Sequence, residues 1–173
     1  GDKPFGLRQV RLVSIPKTGS PVAVELPGAL TLSFKERTQN GELRGDDKLV
    51  EVVAFAEAIE WELEKGGISL EAYALMTGRA VTTSGTTPNA TTRLAAVGGD
   101  AFPYFRIYGK ALSPNGDDIH CIIYKAKITD PMEGEFKNGE FFMNKCSGIG
   151  IDNGANGIYT FIQNETTAAL PAT

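Results

Sequence analysis

Histidine and cysteine are nearly absent: 173 residues contain one His and two Cys. A structural zinc site takes four nitrogen or sulfur ligands, commonly with CxxC spacing, and His120, Cys121 and Cys146 cannot supply them. Adjacent residues of a strand point to opposite faces, so His120 and Cys121 make no nucleophile and base dyad. Cys146 from another strand leaves a Cys146/His120 pair open. The run Asp118-Ile119-His120-Cys121-Ile122-Ile123-Tyr124 has the branched and aromatic residues of a half-buried strand. The expectation is a histidine on its solvent side and a cysteine buried as a small hydrophobe. A Cys121–Cys146 disulfide is geometrically open. Gly1-Asp2-Lys3-Pro4-Phe5 shows no apolar signal core, so reduced thiols in a cytoplasmic setting are expected.

Long apolar runs are missing too. Leu49-Val50-Glu51-Val52-Val53-Ala54-Phe55-Ala56 is among the longest, far short of a membrane span, so no membrane segment is expected. The sequons at Asn89 and Asn164 then carry little weight. There is no basic surplus: 17 Lys plus Arg face 21 Asp plus Glu, a net charge of −4, which disfavours tight nucleic-acid binding. Gly148-Ile149-Gly150-Ile151-Asp152-Asn153-Gly154 misses the GxGxxG spacing by one residue and precedes no helix. Asp152-Asn153-Gly154-Ala155-Asn156-Gly157 fails as a calcium loop because Gly154 and Gln163 stand at ligand positions. Both glycine clusters are expected to be turns. No cofactor, metal or catalytic residue is expected, and the chain does not read as an enzyme.

What is present is a composition of 42% hydrophobic and 22% charged residues, which excludes a disordered chain. The length suits one domain, residues 1–173, able to bury ~70% of its unfolded surface. Asn-Gly dipeptides at 40, 115, 138, 153 and 156 are the punctuation of hairpins, clearest in Glu135-Phe136-Lys137-Asn138-Gly139-Glu140-Phe141-Phe142. Strands are expected at 8–15, 22–26, 29–37, 104–111, 119–129, 141–151 and 158–163. Ile59-Glu60-Trp61-Glu62-Leu63-Glu64 alternates without fault, so 49–65 reads as a strand although its alanines and glutamates favour helix. Ser69 as N-cap and Gly78 as terminator bound one helix, whose Leu70, Tyr73, Ala74, Leu75 and Met76 pack on the sheet. Residues 38–48 read as a long polar loop. The Thr-rich 82–92 reads as a solvent-exposed excursion, and residues 166–173 fray unless a neighbour holds them.

Gly41-Glu42-Leu43-Arg44-Gly45-Asp46-Asp47, the alternating strand, and Gly66-Gly67-Ile68-Ser69-Leu70-Glu71-Ala72 leading to Met76-Thr77-Gly78 together resemble the major tail tube proteins of long-tailed, siphovirus-type bacteriophages. The resemblance is specific over residues 32–78 and looser elsewhere. It implies a mainly β fold, a β-sandwich or barrel-like unit with one flanking α-helix and a long inter-strand loop. It further implies a structural virion protein that closes, six copies at a time, into rings stacked as a tube for DNA ejection. The implied partners are copies of itself, tape-measure, tail terminator and tail tip proteins, and genomic DNA that passes without tight binding. The implied place is the virion tail, assembled in the host cytoplasm.

Alternation puts Glu60, Glu62 and Glu64 on one face, making them candidates for a phosphate-repelling lumen; the other placement is the outer wall. Gln39, Asn40, Glu42, Leu43, Arg44, Asp46, Asp47 and Lys48 of the loop are candidates for contacts between stacked rings. The alternative function is a small β-sandwich carbohydrate-binding or adhesion module, in which Tyr104, Tyr108 or Tyr124 stacks on a ligand.

Overall fold

The computed structural model describes residues 6–26, 31–45, 48–64, 68–99, 101–112, 117–137, 140–166 and 168–171. The chain is mainly β. Among the described residues ten strands and one helix follow in order: β1 (Gly6–Ser14), β2 (Ala23–Leu26), β3 (Thr31–Gly45), β4 (Lys48–Glu64), α1 (Leu70–Thr77), β5 (Val81–Ser84), β6 (Thr91–Leu94), β7 (Phe105–Leu112), β8 (Asp118–Lys137), β9 (Glu140–Gly150) and β10 (Tyr159–Asn164). Eight strands form one antiparallel sheet in the order β2-β1-β7-β8-β9-β4-β3, with β10 beside β8 beyond the end of β9. β2 and β3 are its edges, and among the described residues no ladder joins them.

One face of this sheet carries the core. Ile59, Trp61 and Leu63 of β4 point into it with Val10, Leu12, Phe105, Ile107, Cys121, Ile123 and Cys146, and α1 covers them with Ala72, Tyr73 and Met76. The Trp61 and Phe105 rings meet edge-on with centroids 5.6 Å apart. Their strands stand three ladders apart, ~14 Å in a flat sheet, so the sheet curls strongly around the helix. Phe34 of β3 likewise reaches Phe161 of β10 at 5.2 Å. Close approach at the sheet centre needs glycine: a Cβ at Gly148 would stand 2.6 Å from Trp61 and overlap the Lys127 carbonyl oxygen.

Opposite Ile107 stands Ile123, and opposite Phe105 stands Ala126, so β8 holds one extra residue at 124–125. This bulge reverses the inward parity from Cys121 and Ile123 to Ala126 and Ile128. Lys125 and Lys127 thereby leave the core.

The helix begins and ends where capping chemistry places it. Ser69 Oγ accepts the Ala72 amide at 3.2 Å, and Gly78 adopts φ 72°. Gly78 also lies under the Pro103 ring, 3.1 Å from where a Cβ would stand.

Four expectations are corrected. Residues 38–45 are not a loop: β3 and β4 pair from Thr31↔Glu64 to Gly45↔Lys48, with register shifts at Arg37/Thr38 and Leu43/Arg44, and Asn40-Gly41 lies mid-strand opposite Ala54 and Val53. Residues 38–41 and 54–57 are exposed, so over this part of the ribbon no buried face imposes a period. The Thr-rich stretch is solvent-exposed as expected, but its backbone is paired rather than looped: it forms the hairpin β5–β6, a separate two-stranded sheet with Thr83 opposite Thr92. Gly148-Ile149-Gly150 is strand, as the expected run 141–151 has it and not a turn as the glycine cluster alone suggests, whereas Gly154 and Gly157, at φ 84° and 88°, do turn the chain. His120 is not solvent-facing, as described below. Strands β8 and β9 pair up to Lys137↔Glu140 as the Asn138-Gly139 hairpin requires. That dipeptide, like Asp46 and Asp47, lies outside the described residues.

Candidate functional site

β9 accompanies β4 only from Glu64↔Lys145 to Ile59↔Gly150. Past Gly150, β4 pairs with β3 alone, and the two run on as a ribbon ~25 Å long. Past Glu64 in the opposite direction, β8 and β9 pair only with each other, a second ribbon of ~15 Å. The sheet thus carries one projecting ribbon at each end. Gln39 and Asn40 stand exposed on the longer one, where Phe55 is 52% exposed. Glu42, Leu43, Arg44 and Lys48 belong by their backbone to its outer part, and their side chains lie outside the described residues.

The face of β4 opposite the core presents Glu60, Glu62 and Glu64 together, as alternation requires. The neighbouring strands add cations to it. Lys35 stands opposite Glu60 and Lys145 opposite Glu64 in register. Arg37 Nη2 donates to Glu60 Oε1 at 2.5 Å, and Lys145 Nζ lies 3.4 Å from Glu62 Oε1. Arg37 holds the Glu60 carboxyl below its ordinary range, and Glu62 raises the Lys145 amine. This face borders a cleft of 590 Å³ with Ser33, Thr129 and Ser147. Glu60 and Glu62 are thus each paired with a cation from a neighbouring strand, a property invisible in β4 read alone.

A second concavity, 530 Å³, opens between α1 and the β1–β2 hairpin and is lined by Ile15, Val22, Val24, Leu75, Val81 and Pro103. Ile15 and Val22 remain exposed there.

On the far side of β1, β7 and β8, away from the core, the chain returns over its own sheet. Residues 168–171 cross β8, β7 and β1 as a strap. Asp118 Oδ2 accepts the Ala168 amide at 2.6 Å, Lys110 Nζ donates to the Ala168 carbonyl at 2.5 Å, and Arg11 Nη1 donates to the carbonyls of Leu170 and Pro171 at 3.1 and 2.5 Å. Leu170 is buried among Val13, Tyr108 and Ile122. Asp118, fully buried, also accepts Asn164 Nδ2 at 2.7 Å and lies 3.2 Å from His120 Nε2 and 3.8 Å from Lys110 Nζ. The Ala168 amide is the main cause that holds this carboxyl below its ordinary value, against the effect of burial.

His120 is therefore 4% exposed, sealed beneath the strap rather than facing solvent. Sequence reasoning missed this cluster. Its signal was Asp118 and His120 alternating on one face of an otherwise apolar run.

Cys146 lies in the core, 3.9 Å from Met76 Sδ, on the opposite face from His120, so the two form no dyad. Both cysteines are free thiols, and burial pushes each up to about 12. Tyr108 is buried under the strap, Tyr104 is capped by Lys125 and Lys127 at 4.5 and 4.1 Å from its ring centre, and Tyr124 lies beneath Arg106. Among the described residues no cluster of three His, Cys, Asp or Glu is placed to hold a metal, and no helix is long and apolar enough to cross a membrane. No family model and no curated protein matches the chain.

Proposed function

We propose that the chain is a structural subunit of a tail tube of the long-tailed bacteriophage type, a β-sandwich or barrel-like unit whose copies close into six-membered rings and stack. The observation that carries this reading is the pair of ribbons at opposite ends of the sheet. An isolated two-stranded ribbon is marginally stable in water, and the described side chains of these ribbons, at 38–41, 54–57 and 133–134, are exposed. Their cost is offset where a neighbouring copy covers them, and ribbons at both ends suit head-to-tail stacking, which extends without limit. The free edge of β3 and the apolar concavity beside α1 are further surfaces that a ring neighbour would cover.

In this reading Gln39, Asn40 and the outer ribbon residues make ring-to-ring contacts, and Glu60, Glu62 and Glu64 face the lumen. A surface on which Arg37 and Lys145 are already engaged by carboxylates offers DNA few free cations, so counterion release gives little retention. The partners are copies of the chain, tape-measure, terminator and tip proteins, and DNA in transit; the place is the virion tail, after assembly in the host cytoplasm. The rings of Tyr104, Tyr108 and Tyr124 are engaged within the chain, so nothing specific favours the carbohydrate-binding alternative.

Negative-stain microscopy of the purified chain across a concentration series tests the reading. Hollow tubes or six-fold rings are expected; monodisperse single subunits at every concentration, including after addition of preformed tail tips, would refute it.

A further inference from the structure

We propose that the groove beneath the strap is a binding site for an extended peptide, and that it also takes residues 168–171 of a second copy of this chain. This inference rests on the self-assembly reading for its occupant. The groove's own chemistry stands apart from it.

The groove grips main chain. Lys110 and Arg11 donate to three carbonyls of the strap, at residues 168, 170 and 171, and Asp118 accepts the one amide at 168. Of the strap side chains, Leu170 is seated while Ala169 and Pro171 are exposed. Main-chain bonds with one apolar anchor are the recognition mode of peptide-binding grooves. The gripping groups are also held without the strap. Glu25 Oε1 accepts Arg11 Nε at 3.2 Å and is itself fixed by Gln9 at 2.6 Å, while Asn164 and His120 hold Asp118. The site is therefore preorganised when empty, which lowers the cost of refilling it.

The same four residues of a second copy offer identical bonds and the same leucine. Exchange between copies thus conserves every contact, the condition under which swapped segments compete with intramolecular ones. In a ring, the neighbour's segment is present at the high effective concentration that favours exchange. Among the described residues no ladder ties the strap to the sheet, so leaving the groove spares the ladders between strands.

Two full-length variants separate the halves of the contact. Leu170→Asp keeps the groove and spoils the segment; Arg11→Met with Lys110→Met keeps the segment and removes the groove's donors. Near-UV circular dichroism verifies folding, with Leu170→Ser as the milder substitute if Leu170→Asp fails to fold. At concentrations below those at which rings form, native mass spectrometry of the mixture is expected to show a mixed one-to-one complex, with no homodimer of either variant alone. A fluorescein-labelled synthetic peptide of residues 164–173 is expected to bind the Leu170→Asp chain saturably. It should bind the unaltered chain at least about tenfold more weakly, because the chain's own segment occupies the groove. A folded Leu170→Asp chain that leaves the peptide unbound up to about 1 mM overturns the site. Peptide binding without the mixed complex overturns the second copy as occupant. Tube formation by the unaltered chain is scored separately, so loss of exchange with tubes intact refutes this inference and leaves the assembly reading standing.

Discussion

Replacing Gly148 by alanine should destabilise the fold, although glycine to alanine in a strand ordinarily does the reverse. A Cβ built at Gly148 meets Trp61 Cζ2 at 2.6 Å and the Lys127 carbonyl carbon at 2.9 Å, and it overlaps the Lys127 oxygen. Carbon atoms rest at ~3.5–4.0 Å, so one neighbour must retreat by about 1 Å. Lys127 cannot, because it belongs to the β8–β9 ladder. Trp61 is 1% exposed and abuts Phe105, so its ring has nowhere to go. Overpacking of this kind costs about 1–3 kcal/mol, against the about 0.4–1 kcal/mol that a stiffer unfolded chain contributes. The net of about 1–2 kcal/mol should lower the thermal midpoint by ~2–8 °C for a chain of this size. Gly41 provides the control. It too lies within a strand, at ordinary φ and with nothing within 4 Å of a Cβ, so Gly41→Ala should raise the midpoint by ~1–4 °C. Thermal unfolding followed by far-UV circular dichroism reads both. A Gly148→Ala protein as stable as the parent would refute the packing argument.

Ser69→Ala removes the acceptor of the Ala72 amide and should cost about 1 kcal/mol, read as a midpoint ~2–4 °C lower; an unchanged midpoint would deny the cap any contribution. Asp118 has a depressed folded value, so the stability it lends the strap is present above its ordinary value of 3.8 and lost as pH falls through the lower folded value. The groups facing it are Lys110, His120, Asn164 and the Ala168 amide. The Ala168 amide resonance should move with a midpoint below 3.8, and a midpoint at or above 3.8 would contradict the assignment. Cys121 and Cys146, with thiols raised to about 12, should resist iodoacetamide at pH 8 in the folded protein and react once unfolded; rapid labelling of the folded chain would show that burial does not protect them.

The elements legible in the sequence are those with one face buried by the chain itself. Ile59, Trp61 and Leu63 alternate because the core lies on one side of β4, and Ser69 and Gly78 bound α1 because helix ends have their own local chemistry. Where burial comes from elsewhere, the pattern fails. Residues 38–41 show no period because both of their faces are exposed, so they resemble a loop in composition while pairing as a strand. The bulge at 124–125 shifts the parity of β8 midway, and a strict alternation carried through it would put Ala126 and Ile128 on the wrong face.

His120 and Asp118 fail for a different reason: their cover arrives from residues 164–171, at a separation that no window of local pattern spans. Gly148 and Gly150 are read as turn formers because glycine usually buys conformational freedom; here it makes room for Trp61, Ile59 and Ile123, which only the register of β9 on β4 and β8 reveals. The face holding Glu60, Glu62 and Glu64 shows the same limit in its electrostatics. One strand's alternation fixes which side its carboxylates take, but their partners Arg37 and Lys145 lie on two other strands. The charge of a sheet face is a property of register, and register becomes visible only when the strands are paired.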